Sequence, residues 1–232
     1  MSIRKVSFAP GEFYHIYNRG NSKQKIFHDR EDYARFMGLL YACNQKENFK
    51  IDNLGKEKSV YDIDKHSNLV SIGAYALMPN HFHLLIKCEE ENSISKFMQK
   101  LSTAYVMYYN KKYERTGSLF EGKFKSQHLH IEKYLKYIFS YIHLNAVKLI
   151  NREWREKGIK NKKETLGFLN TYTYSSYLDY LDSGRIQNKI LNLKAFPKYF
   201  LSKHDFLKEV FSWLSYGDSS ARQDLAEFGR NE

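Results

Sequence analysis

Hydrophobic and polar positions along this chain follow two rhythms, and the switches between them mark out its elements. Glu12 to Asn18 is rich in aromatics and predicts a first strand. From Asp29 to Cys43 the period lengthens to that of a helix, with Phe36, Leu39, Leu40 and Cys43 on one face and Asp29 placed to cap it. Residues 44–67 are polar and charge-mixed, which predicts a strand edge and a long loop. Leu69 to Leu77 and His81 to Lys87 are the two clearest strands, joined through Met78-Pro79-Asn80. Ile94 to Tyr113 predicts a second helix, with Ile94, Phe97, Met98, Leu101 and Tyr105 on its apolar side. Gly117 to His128 suggests a hairpin or an extended pair. Ile131, Tyr134, Leu135, Ile138 and Ile142 then recur at helical spacing.

This order of strands and helices predicts an α+β fold. We expect a ferredoxin-like sandwich with a mostly antiparallel central sheet, helices packed on it, and a helical C-terminal appendage. The expected division is a principal domain over 1–150, a charged loop and helical appendage over 151–216, and a disordered tail over 217–232. Arg152 to Lys163 reads as a solvated, charged loop, and Trp213 suggests that part of the appendage docks.

Composition narrows the partners. Lys and Arg number 37 against 26 Asp and Glu, a net charge of +11 that favours a polyanionic partner, nucleic acid being the commonest. The 19 tyrosines and 16 phenylalanines must fill much of the core, and some would serve as stacking surfaces for unpaired bases. Cys43 and Cys88 alone make no disulfide framework and suit a reducing compartment. No apolar run has the length of a membrane span, so a soluble, cytoplasmic protein without membrane association is expected.

The segment most suggestive of chemistry is Met78-Pro79-Asn80-His81-Phe82-His83. In a strand, His81 and His83 share one face while Phe82 takes the other, and two neutral imidazoles side by side are half a metal site. On the later helix, at about 100° per residue, Asn145 falls inside the apolar stripe and Tyr141 on its edge. The two lie four residues apart, one above the other. The blander reading of this pair is a core tyrosine and a helix-ending asparagine. His128-Leu129-His130 repeats the His-apolar-His pattern but precedes a helix without a suitably placed nucleophile, and reads as surface histidines. Asp62, Asp64 and His66 lie in a polar loop, and His143 reads as structural.

Taken in order, several blocks resemble the HUH single-tyrosine transposases, specifically the REP-associated tyrosine transposases. They are Tyr14-His15-Ile16-Tyr17-Asn18-Arg19-Gly20-Asn21, Ala76 to His83, Phe97-Met98 leading to Tyr108-Tyr109-Asn110, Gly117 to Ser126, Tyr141 to Asn145, and Tyr174 to Tyr177. The likeness covers roughly residues 10–180. Two positions depart from the family pattern: Ala146 stands where Pro is common after the Asn, so the helix is free to continue, and Lys123 stands where Arg is favoured.

The resemblance implies a metal-dependent single-stranded DNA endonuclease and strand transferase, with 1–150 as its catalytic domain. Tyr141 would be the nucleophile, giving a 5′-phosphotyrosine and a free 3′-OH. His81 and His83 would hold a divalent ion, with Asn145 as oxygen ligand or orienting amide. Residue chemistry permits Mg²⁺ or Mn²⁺ without choosing, and the resemblance implies one of these. The implied substrate is single-stranded DNA with a hairpin nearby. Phe120, Lys123, Phe124 and Lys125 are the candidate DNA-tracking strip, with Lys123 and Lys125 expected on one face of an extended segment. Asn18 and Arg19 are further candidate contacts. The same strip also reads as a sheet edge protected by lysines. Either a monomer or a homodimer fits. The competing readings are a catalytically silent DNA-hairpin-binding protein and an RNA-binding ferredoxin-like module.

Overall fold

The computed structural model describes residues 7–47, 58–159 and 161–215. Strands β1 (Phe13–Arg19), β2 (Val70–Met78), β3 (His81–Cys88) and β4 (Lys125–His128) form one sheet in the order β2-β3-β1-β4. Every neighbouring pair is antiparallel, the arrangement of a ferredoxin-like α+β sandwich. Helices α1 (Arg30–Ala42) and α2 (Ser93–Lys112) follow β1 and β3, and α3 (Glu132–Leu144) follows β4.

Alternation along the strands gives the sheet two different faces. Tyr14, Ile16, Tyr75, Leu77, Phe82, Leu84 and Ile86 pack with Phe36, Leu40, Phe97 and Leu101 of α1 and α2. Ala74, Ala76 and Leu85 point the other way, against Leu135, Ile138 and Ile142 of α3. The small alanines let α3 approach the sheet closely. All nine residues of β2 are buried, which is why it reads as a nearly continuous apolar run. A register shift occurs between Ile72 and Ala74, around Gly73. A Cβ at Gly73 would stand 2.8 Å from the Phe196 ring, so any larger residue there would have to push that ring aside.

Asp29 caps α1 as the sequence predicts, accepting from the Asp32 amide at 3.1 Å. Buried Asp32 in turn accepts from the His28 amide and Tyr113 hydroxyl, each at 2.8 Å, from Lys112 Nζ at 2.9 Å and from the Tyr108 hydroxyl at 3.0 Å. Burial pushes this carboxyl up, but its four donors hold it below the ordinary aspartate value.

Three expectations change. Gly117 to His128 is not a hairpin: only four residues pair with β1, and Phe120 makes a single bridge with Gly20 before the chain turns at Gly122, whose φ is +71°. The charged stretch after residue 150 contains two short helices, α4 (Trp154–Lys157) and α5 (Lys162–Leu169), because Trp154 and Leu169 bury against Leu144 and Val147. Residues 170–202 consist of 3₁₀ turns and irregular chain, with a final helix α6 at Lys203–Ser215.

Much of this C-terminal segment is joined to the sheet edge. The Leu77 amide donates to the Tyr174 carbonyl at 2.9 Å. Arg185 bridges Asp179 (2.7 Å) and the Tyr75 hydroxyl (2.9 Å). No strand lies within the described part of 44–67, and the tail expected from 217 lies outside the described residues. Both cysteines are buried and free, and no described helix is long and apolar enough to cross a membrane.

Candidate active site

β3 runs through the middle of the sheet, and its alternation turns His81 and His83 toward α3. Their ring centroids are 5.0 Å apart. Across the ladder on β1, Arg19 stands opposite His81 and Tyr17 opposite His83. His15, one step along the same face, brings its Nε2 to 2.9 Å from His83 Nδ1. His81 Nδ1 lies 2.7 Å from the Asn80 side-chain oxygen. The Nδ1 atom of each ring thus has a polar partner within hydrogen-bonding distance.

Helix α3 lays Tyr141 over His83 and His15, its ring centroid 5.9 Å from the first and 5.7 Å from the second. Its side chain is 2% exposed. The buried Asn145 amide donates to the Tyr141 carbonyl at 3.0 Å, a helix-ending bond that satisfies one terminal carbonyl. Without proline at position 146, the chain continues from Asn145 to Leu149 as a 3₁₀ turn.

A cavity of about 180 Å³ opens beside the histidines, lined by Tyr17, Arg19, Lys23, His81, His83, Glu121, Lys125 and Lys148 among others. Tyr141 and Asn145 are not among its lining residues. Four cations and one carboxylate make it an anion-attracting cleft. Arg19 holds Glu121 with a two-pronged ion pair, one arm at 3.0 Å, and that bond keeps the Glu121 carboxyl below its usual range.

The predicted DNA strip divides. Lys125 sits on β4 opposite Tyr17, on the histidine side. Lys123, Phe120 and Phe124 instead line a second groove of about 480 Å³ against Met98, Gln99 and Ser102 of α2. The turn at Gly122 precedes Lys123, and pairing with β1 begins only at Lys125, so the two lysines do not share a face. Phe124 is half-buried and stacks on Phe8 at 6.2 Å. Asn18 is buried between the cavity and this groove and lines both, donating to the Gly122 carbonyl at 3.3 Å and accepting from the Arg19 amide at 2.9 Å.

Sequence reasoning missed His15, Tyr17 and Lys148. The first two had a usable signal, because His15, Tyr17 and Arg19 alternate along β1 just as His81 and His83 do along β3. Lys148 enters through the turn after α3, which sequence alone does not place. The structural reading of His143 agrees with the geometry: its Nε2 lies 2.7 Å from Ser176 Oγ, and burial pushes its pKa down to about 3. Asp62 closes a capping box with Ser59.

Among the described residues, no group of three or more His, Cys, Asp or Glu side chains could hold a metal ion. Any cation here would rest on two imidazoles and an amide. That mixed nitrogen and oxygen set suits a divalent ion that keeps open positions for substrate oxygens.

A family model described as "Transposase IS200 like" matches residues 12–145. Among solved structures, a REP-associated tyrosine transposase bound to a REP hairpin aligns at TM-score 0.51 and 12% identity, covering 86% of this chain and 99% of that one. A tRNA(His) guanylyltransferase from Saccharomyces cerevisiae aligns at TM-score 0.36 and 11% identity, covering 87% of each chain, too loosely to carry an argument. Comparison with curated protein sequences gave no match.

Proposed function

This chain belongs to the IS200-like transposases, and from that premise we propose that it is a metal-dependent enzyme that cuts and rejoins single-stranded DNA beside a hairpin. The observation that carries the proposal is the meeting of Tyr141 with His83 on one sheet face, the tyrosine ring 5.9 Å from His83 and the His81 ring 5.0 Å from His83. A hairpin is the DNA bound by the solved relative of the same fold.

In this reading the Tyr141 oxygen attacks the phosphorus, loses its proton and becomes joined to the 5′ phosphate. The departing oxygen takes up a proton as a free 3′-OH. One phosphodiester replaces another, so bond energy is kept and a 3′-OH can reverse the step. A free phenol is only about one part in a thousand ionised at neutral pH and needs help to attack. Mg²⁺ or Mn²⁺ held by His81, His83 and Asn145 would neutralise phosphate oxygens and orient the scissile bond. Arg19 and Lys125 would guide the backbone into the cleft, while Asn18, Phe120, Lys123 and Phe124 would engage DNA across the second groove.

One observation favours a second reading. Tyr141 is 2% exposed, so its hydroxyl must be uncovered before DNA can reach it. A hairpin-binding protein without catalysis would leave it buried. The two readings separate on a 5′-labelled, hairpin-bearing single-stranded oligonucleotide incubated with protein and Mg²⁺ or Mn²⁺. The enzyme releases a labelled fragment whose 3′ end a polymerase extends, and chelator stops the release. Tight binding without any fragment supports the silent binder, and release that persists in chelator removes the metal from the account.

A further inference from the structure

We propose that His15 is a positioning residue that fixes the tautomer of His83 and so makes His83 a metal ligand. The inference rests on the metal reading above and adds a residue to it. His15 Nε2 and His83 Nδ1 are 2.9 Å apart, and both side chains are buried. At that distance the two nitrogens share one hydrogen. Should His15 donate it, His83 as a neutral ring carries its own hydrogen on Nε2, where no cation can bind. Should His83 donate from Nδ1, its Nε2 presents a lone pair and His15 must carry its hydrogen on Nδ1. Only the second arrangement is competent, and His15 supplies the acceptor it requires.

The surroundings hold both rings in place for this bond. The His15 and His83 planes lie within 17° of each other, with centroids 5.1 Å apart. Tyr17 stacks on His15 at 5.0 Å, and Tyr141 meets both imidazoles edge-on. Strand register sets the geometry, because His15 pairs with Leu85 and Tyr17 with His83. A one-residue slip of β1 would send His15 to the opposite face.

Glutamine can place an acceptor oxygen near the position of an imidazole Nε2, whereas asparagine is too short and phenylalanine has no acceptor. Manganese binding by the purified protein, followed by electron paramagnetic resonance without DNA, therefore separates positioning from packing. Relative to the native chain, His15→Phe and His15→Asn should bind Mn²⁺ about 10- to 100-fold more weakly, and His15→Gln within roughly threefold. A packing role would affect all three through thermal stability and would give no such rescue. Native affinity in a folded His15→Phe protein, or Gln no better than Asn, overturns the inference while leaving the metal reading intact. A native protein that binds no Mn²⁺ overturns both. A fourth measurement needs no variant: in ¹⁵N-histidine spectra of the Mg²⁺-loaded native protein, His83 should carry its hydrogen on Nδ1. A hydrogen on its Nε2 would contradict the proposal.

Discussion

The chain carries the His-apolar-His pattern twice, and the sheet gives the two copies opposite settings. His81 and His83 lie on a central strand, face α3, and are met there by His15 and Tyr141. His128 closes the edge strand β4 and faces the other side, stacked on Tyr14 at 5.0 Å and bonded to Glu12 at 2.7 Å. His130 lies beyond the strand's end and is exposed. Spacing alone made the pairs look equivalent. What separates them is whether both neighbours of the apolar residue stay within one strand under a covering helix.

The largest expected effect breaks the comparison if it fails. His81→Ala or His83→Ala should cut DNA cleavage at least about 100-fold, as should chelator on the native protein. His128→Ala and His130→Ala should stay within about twofold, since neither ring meets the nucleophile or the cleft. Equal losses from both pairs, read in the same cleavage assay, would erase the distinction.

The second effect concerns the face that His128 shares with α1 and α2. Asp32 is a buried carboxyl of that region, held by four donors. Asp32→Asn should lower stability by about 1–3 kcal/mol in denaturant unfolding. The folded carboxyl is held below its unfolded value, so its contribution is present above the unfolded pKa and is lost as pH falls through the folded one. The variant should therefore show a weaker loss of stability on acidification below about pH 4. An unchanged acid profile would mean that the network does not couple to folding.

The smallest effect divides the two lysines. Lys125→Ala should flatten the salt dependence of single-stranded DNA binding by about 0.7 and also slow cleavage, because Lys125 lines the histidine cleft. Lys123→Ala should change the slope by about the same amount while leaving cleavage of bound DNA intact. If the two variants match in both measurements, the separation of the two grooves has no functional counterpart.

Most of the fold was legible because its strands and helices keep clean periods. Phe36, Leu39 and Leu40 marked α1, Ile138 and Ile142 marked α3, and Asp29 announced its cap. The misjudged segments are those held by distant partners. Trp154 and Leu169 become helical where they find Leu144 and Val147, and Lys123 parts from Lys125 at a turn that no period reveals. The histidine pair and Tyr141 were visible as motifs on single elements. His15 was not singled out, since its role depends on the pairing of β1 with β3, which brings together residues 68 apart in sequence.

The central claim is that the Tyr141 oxygen becomes bonded to DNA. Its most direct test is a suicide oligonucleotide, nicked so that the short 5′ fragment bearing the free 3′-OH diffuses away and cannot reverse the step, followed by mass spectrometry of the trapped peptide. The account predicts a 5′-phosphonucleotide on Tyr141, no adduct with Tyr141→Phe, and hairpin affinity within about twofold of the native protein in that variant. An adduct on Tyr134, Tyr137 or Tyr17, or an undiminished adduct in Tyr141→Phe, would contradict it.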